Sequence, residues 1–240
     1  ALQGVFWWTH LSIILFFTVY IPFSKHMHMV AAPVNAFFRS LEPRGALPAM
    51  DLENTERFGA SRVQDFTWKQ LLDGYACAVC GRCTDSCPAN ITGKILSPMH
   101  IVENLKEHMI KIGHQGDRNP EHVEPEPIID HAIAEQAIWD CVSCGACMEE
   151  CPVVVEHVPT IIDLRRNLVL EESKIPETGL SALLSMEQRG HPWRGTQFSR
   201  TDWADGLNIL TIAEKPDAEV LFWVGCTAAL EQRSQGVARS

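Results

Sequence analysis

The sequence predicts a mainly α-helical chain: a membrane-length apolar helix, a helical domain built around two cysteine clusters, and the opening of an α/β segment. Three observations carry this. No Lys, Arg, Asp or Glu occurs between Ala1 and Ser24. Eight of the nine cysteines fall in two matched runs whose flanks repeat apolar residues at helical spacing. The last apolar stretch, Glu219 to Cys226, lacks that spacing and reads as a buried strand ending in Gly-Cys. Composition agrees. Of 240 residues, 46% are hydrophobic and 21% charged, which excludes a disordered chain and a membrane protein made of spans alone. The net charge of −10 argues against nucleic acid as a partner, because phosphate binding needs a basic face.

The first element is the run Val5 to Phe23, VFWWTHLSIILFFTVYIPF. A helix of 24 residues spans ~36 Å, enough for a ~30 Å hydrocarbon core. Trp7 and Trp8 suit one interface, and Lys25, Arg39 and Arg44 follow the other end, which places that end on the cytoplasmic side. A cleaved signal peptide would need a basic leader and a small-residue cleavage site, and neither is present. His10 lies inside this span, where an ionisable side chain marks function. His28 follows 18 residues later, five whole turns or ~27 Å along the same helix face, with Pro22 between them as a place for a kink that shifts this register. The spacing suits two haems stacked across a bilayer, imidazole being a common iron ligand. The bland reading is a histidine that bonds a neighbouring helix, with His26 and His28 among the headgroups.

The second element is an internal repeat. Residues 77 to 88 read CAVCGRCTDSCP and residues 141 to 152 read CVSCGACMEECP, matched at an offset of 64. Each has the spacing C-x2-C-x2-C-x3-C-P. Three thiolates two residues apart can surround one face of an iron–sulfur cube, while the fourth ligates the other cluster. Cys77, Cys80, Cys83 and Cys151 are therefore assigned to one [4Fe–4S] cluster, and Cys141, Cys144, Cys147 and Cys87 to a second. Gly81 and Gly145 allow close backbone approach. Pro88 and Pro152 set φ as the chain leaves. Ala89, Ile91 and Val153 to Val155 are expected to exclude water. Structural zinc would instead favour two separated C-x2-C pairs.

The flanks read as helices. Thr67 caps a helix with Trp68, Leu71, Leu72 and Tyr75 on one face. Ser97-Pro98 opens a helix striped by Ile101, Val102, Leu105, Met109 and Ile112. Thr160 to Asp163 resembles a capping box ahead of Leu164 and Leu168. Leu180 to Arg189 ends at Gly190. Gly116 to Pro127 is Pro- and acid-rich and reads as a loop. His100, His108, His114, His122, His131, His157 and His191 are scattered and read mostly as surface residues without catalytic roles. Residues 173–218 read as an extended connector with one short helix, anchored by His191, Trp193 and Trp203.

These motifs carry resemblances. His10 to His28, with Pro22-Phe23-Ser24-Lys25 near its end, resembles the last transmembrane helix of the respiratory nitrate reductase gamma-subunit family. That implies b-type haem at His10 and His28, probed from the other side by ligands on missing upstream helices or a partner subunit. The paired cysteine runs, 53 residues apart, resemble the alpha-helical ferredoxin of the succinate dehydrogenase iron–sulfur subunit and of heterodisulfide reductase. LFWVGC resembles the opening of a CCG domain, which implies Cys226 as a ligand of a non-cubane iron–sulfur cluster lying beyond the chain end.

The resulting organisation is 1–38 haem-type membrane helix, 39–66 linker, 67–172 two-cluster domain, 173–218 connector and 219–240 an incomplete CCG-type domain. The chain starts without an initiator Met and stops soon after a new apolar segment begins, so it is expected to be a piece of a longer polypeptide. The whole resembles the membrane-bound, heterodisulfide reductase-related iron–sulfur oxidoreductases, of the electron-transfer flavoprotein:quinone oxidoreductase type. That implies an oxidoreductase at the inner membrane, with its clusters on the cytoplasmic side. Its partners would be lipid, menaquinone or another quinone, and a cytoplasmic donor such as electron-transfer flavoprotein. The alternatives are disulfide reduction with membrane electrons, and a non-catalytic electron-transfer subunit.

Overall fold

A computed structural model describes residues 2–43, 46–55, 57–118, 126–196 and 198–240. The chain forms two compact units, Ala1–Lys174 and Ile175–Ser240. The described residues are helical or irregular, with one isolated bridge between Ile129 and Ile133.

The first unit opens with α1 (Leu2–Tyr20). The apolar helical stretch Leu2–Phe23 has 22 residues, a mean hydropathy of 1.6 and no buried side chain. At ~33 Å it is long enough to cross a membrane, and its exposed Phe, Ile and Trp side chains suit lipid. It does not continue as one helix to residue 38. Short 3-10 turns at Ile21–Phe23 and Lys25–Met27 flank an extended Ser24 (φ −123, ψ 169) before α2 (His28–Phe37) begins. Pro22, lacking an N–H, and the Ser24 hydroxyl, which accepts from the His26 N–H, account for the break. His10 and His28 therefore stand on separate helices, and the continuous five-turn register expected between them is not kept.

α3 (Trp68–Ala76) is capped as expected: the Thr67 hydroxyl accepts from the Gln70 N–H, and the Gln70 side chain accepts from the Thr67 N–H. Its packed face differs from the expected apolar one. Gln70, Asp73, Gly74 and Ala76 are buried, while Trp68 is exposed with its ring edge against Phe38. α6 (Pro98–Arg118) begins behind Ser97, whose hydroxyl accepts from the His100 N–H, and buries Ile101, Val102, Leu105 and Ile112. The expected loop Gly116–Pro127 thus starts as helix through Arg118. Its centre, residues 119–125 with His122, lies outside the described residues, as does Arg44.

α9 (His157–Leu170) starts three residues before the expected capping box. Thr160 is buried inside the helix and Asp163 accepts from Gln70 and Arg166 instead. Ile161, Leu164 and Leu168 are wholly buried, as their spacing predicts. With Leu96, Ile128 and Ile138 they form the main core. Gly59 was not singled out by the sequence. At φ +73 it lies so close to α9 that a Cβ would sit 2.3 Å from the Asp163 carbonyl oxygen.

In the second unit, α10 (Glu177–Arg189) closes on a left-handed Gly190 as expected. Trp203 is buried and meets Phe222 edge-on, while Trp193 is 39% exposed. The buried strand expected at Glu219–Cys226 does not form. The segment is irregular, Val220 and Trp223 are more than four-fifths exposed, and Cys226 begins α11 (Cys226–Leu230), followed by α12 (Gln232–Ala238). A strand needs a neighbour to satisfy its amides, and none lies beside it among the described residues.

Candidate iron–sulfur site

The two cysteine runs fold alike. Helix α3 delivers the chain to Cys77, and α7 (Glu135–Asp140) delivers it to Cys141. Two residues on, Val79 and Ser143 both take positive φ, 52 and 54. That turn aims the Val79 N–H at the Cys77 Sγ (3.4 Å) and the Ser143 N–H at the Cys141 Sγ (3.3 Å). Positive φ costs a β-branched residue such as Val79 free energy, so the sulfur-facing amide is retained against a local penalty. Gly81 and Gly145 follow in left-handed conformation and cap α4 (Arg82–Asp85) and α8 (Ala146–Glu149). No protein atom crowds a Cβ built on either glycine, and the positive φ of each is itself a reason for glycine here.

The short helices α4 and α8 pack together and bring the runs face to face. Cys83, Cys87 and Cys147 are buried, Cys77, Cys141 and Cys151 partly so, and Cys80 and Cys144 exposed. One cavity is lined by Cys87 of the first run together with Cys141, Cys144 and Cys147 of the second, closed by Leu96 and Ile161. On the other side, burial pushes the Cys83 thiol up to about 11, with the charges of Cys77, Cys151 and Cys80 also pushing it upward. Burial pushes Cys147 up to about 12, and Cys141, Cys83, Cys87 and Cys144 act in the same sense. Burial also raises Cys77, with Cys151 and Cys80 adding to it. Cys77, Cys83 and Cys147 therefore resist ionising by themselves, and a cationic partner would deprotonate them on binding.

No three His, Cys, Asp or Glu side chains among the described residues converge tightly enough for a single metal ion. A polynuclear cluster spreads its thiolates more widely than one ion does. A third amide, the Val155 N–H, donates to the Cys151 Sγ at 3.3 Å. The four-cysteine sets and these sulfur-directed amides fit an iron–sulfur group, whose potential such hydrogen bonds tune. The expected water exclusion holds at Ala89 and Val155, both buried, and fails at Ile91, which is 69% exposed.

Residues 69–152 match the family described as a 4Fe-4S dicluster domain. The chain thus carries a dicluster ferredoxin domain, and it has iron–sulfur oxidoreductase homologues. It is 38% identical over 98% of its length to "Probable iron-sulfur-binding oxidoreductase FadF" of Bacillus subtilis. It is 32% identical over 96% to "EtfAB:quinone oxidoreductase" of Syntrophomonas wolfei. It is 33% identical over 81% to "Probable membrane-anchored ferredoxin" of Chromohalobacter salexigens. The aligned part spans 39%, 36% and 31% of these relatives. The apolar helix and the last of these relatives together point to membrane association.

Several residues behind the runs carry no motif. Asp73 is buried, takes the Lys69 ammonium and the Asn35 amide, each at 2.8 Å, and accepts from the Glu156 N–H. Burial raises its pKa, and the Lys69 and Asn35 contacts oppose the rise. Asn35 also donates to the Val153 carbonyl at 3.0 Å, so α2 is tied to both α3 and the loop after Cys151. Contrary to the surface reading, His108 and His157 are buried. Burial pushes His157 down to about 4. The fixed polar contacts of Asp73 and Asn35 span sequence separations of 38 and 118 residues, which no local pattern reveals. The His28 Nδ1–H donates to the Lys25 carbonyl, 2.7 Å away; His10 is exposed on α1. Cys226 is half-buried, with an Arg200 nitrogen 3.9 Å from its sulfur.

Proposed function

We propose that the chain is part of a membrane-anchored iron–sulfur oxidoreductase that relays electrons between a cytoplasmic donor, electron-transfer flavoprotein, and the membrane quinone pool. The observation that carries this reading is the cavity shared by Cys87 and the three leading cysteines of the second run. A [4Fe–4S] cluster there would be held by Cys141, Cys144, Cys147 and Cys87, and its neighbour by Cys77, Cys80, Cys83 and Cys151. Bound clusters supply one-electron carriers. The chain supplies the ligands, the sulfur-directed amides of Val79, Ser143 and Val155, and the apolar walls of Leu96 and Ile161. The relative named EtfAB:quinone oxidoreductase supports the choice of donor and acceptor.

In the same reading, His10 and His28 are axial ligands of b-type haem. Each haem takes its other ligand from a helix outside this sequence, and menaquinone or a similar quinone is reduced nearby. The Lys25 carbonyl holds the Nδ1–H of His28 and fixes the ring, which would leave Nε2 for iron. Residues 1–38 belong to the membrane arm, 67–172 to the cluster domain on the cytoplasmic side of the inner membrane. Residues 219–240 open a CCG-type domain in which Cys226 would serve a non-cubane cluster.

The test uses the full protein prepared without oxygen. Reduced electron-transfer flavoprotein should reduce bound haem in the wild type and fail to do so in Cys80→Ala with haem still present. Normal haem reduction in Cys80→Ala overturns the relay. Material without iron and labile sulfide overturns the clusters themselves. Electron delivery to a disulfide but not to quinone would replace the acceptor.

A further inference from the structure

Arg165, on α9, reaches across to the end of α7 and the start of the second cysteine run. Its Nε and Nη2 donate to the Ile138 carbonyl at 3.0 and 2.7 Å, and Nη2 also donates to the Trp139 carbonyl at 3.3 Å and to the Cys141 carbonyl. The guanidinium lies 5.4 Å from the Trp139 ring centroid. The last carbonyls of a helix have no intrahelical donor and carry the negative end of its dipole. A planar fork of donors is suited to collect several of them at once. Helix α7 ends at an extended Cys141 (φ −70, ψ 125), and a residue 24 positions beyond Cys141 takes up its last carbonyls.

The charge on this fork is left over. Among the described residues no carboxylate pairs with Arg165, whereas the nearby Asp140 carboxylate already takes the Gln136 amide at 2.7 Å and the Lys94 ammonium at 3.9 Å. Burial lowers the Arg165 pKa, and negative charge at Cys141 opposes that. The first run is built differently. No guanidinium among the described residues reaches the matching carbonyls of Gly74, Tyr75 or Cys77. The cation acting on Cys77 is Lys106, an ammonium on a flexible stem.

We infer that Arg165 is a positioning residue for the second cysteine run and that its unpaired charge raises the reduction potential of the centre held by Cys141, Cys144, Cys147 and Cys87. Reduction adds negative charge to that centre, and a cation fixed at its edge stabilises the reduced form. The other centre lacks this residue and is left unaffected. The inference rests on the two-cluster reading above.

The experiment is a potentiometric titration of the full protein followed by electron paramagnetic resonance. The second centre's signal is identified as the one that Cys144→Ser alters. Two four-iron signals in the wild type establish the reading on which the inference rests; their absence removes that reading and is recognised before any Arg165 variant is made. In Arg165→Gln the reduced-to-oxidised ratio of the second centre, at the wild-type midpoint, should fall about tenfold, which is 59 mV for one electron. The first centre should not move. Equal ratios in Arg165→Gln and wild type, or equal shifts at both centres, overturn the inference. If Arg165→Gln does not retain its cluster, Arg165→Lys decides. It keeps the charge and loses the fork, so its ratio should stay close to wild type, and a tenfold fall overturns the inference.

Discussion

The two cysteine runs share a backbone and differ in what stands behind it. Val79 and Ser143, Gly81 and Gly145, α4 and α8 repeat one local design at an offset of 64 residues. Behind the first run sits a buried carboxylate, Asp73, joined to Lys69, to Glu156 and through Asn35 to α2. Behind the second sits a guanidinium, Arg165, that hydrogen-bonds the carbonyls of Ile138, Trp139 and Cys141. Local sequence therefore dictates how sulfur is presented, and long-range packing dictates the electrostatic surroundings. Two nearly identical sulfur cages acquire different neighbours, and with them the means to differ in redox behaviour.

Four outcomes break or sharpen this comparison. The largest is loss of a whole centre. Cys83→Ala or Cys147→Ala should each remove one cluster's worth of iron per chain, measured by elemental analysis, and equal losses would support equal roles for the runs. Next is Asp73→Ala, which leaves Lys69 and Asn35 without their buried partner. It should destabilise the first unit by about 4 kcal/mol in urea unfolding followed by circular dichroism. A change below ~1 kcal/mol would mean the polar network behind the first run is dispensable.

The third outcome concerns pH. His157, pushed down to about 4 in the fold from ~6.5 in the unfolded chain, stays neutral when buried. Its contribution is complete above the unfolded value and is lost as pH falls from ~6.5 towards the folded one. Stability of the wild type relative to His157→Leu should drop by on the order of 3 kcal/mol across that window. A difference that does not vary with pH would contradict the burial seen here. The smallest effects are expected at Gly81→Ala and Gly145→Ala. Nothing crowds the new Cβ at either site, so each should cost only the left-handed backbone penalty, ~1 kcal/mol. Unequal costs would show that the two turns are less alike than their dihedrals.

Much of the dicluster domain could be read from residue order. Pro punctuation, the C-x2-C-x2-C-x3-C spacing, the Thr67 cap and the Ile161, Leu164, Leu168 stripe are short-range signals, and the structure keeps them. The failures have a common cause in partners or breaks that periodicity does not encode. One helix from His10 to His28 was expected from hydropathy, which is blind to the turn at Ser24. A strand was expected at Glu219–Cys226 from its apolar run, which says nothing about a pairing neighbour. Asp73, Asn35 and Arg165 went unread because each acts through residues distant in the chain, and His157, read as a surface residue, is buried. Gly59 offered only a lone glycine, while its reason, that a Cβ there would sit 2.3 Å from the α9 backbone, lies more than a hundred residues away.

The shared lining by Cys87 and the second run has a further consequence for how such a domain can be taken apart. A segment carrying only residues 77 to 88 would leave Cys87 without the three cysteines that share its cavity. The duplicated stretches are thus not a pair of independent modules that could be shuffled, trimmed or transplanted singly. They are interlocked, because Cys87 of the first stretch helps to wall the cavity of the second.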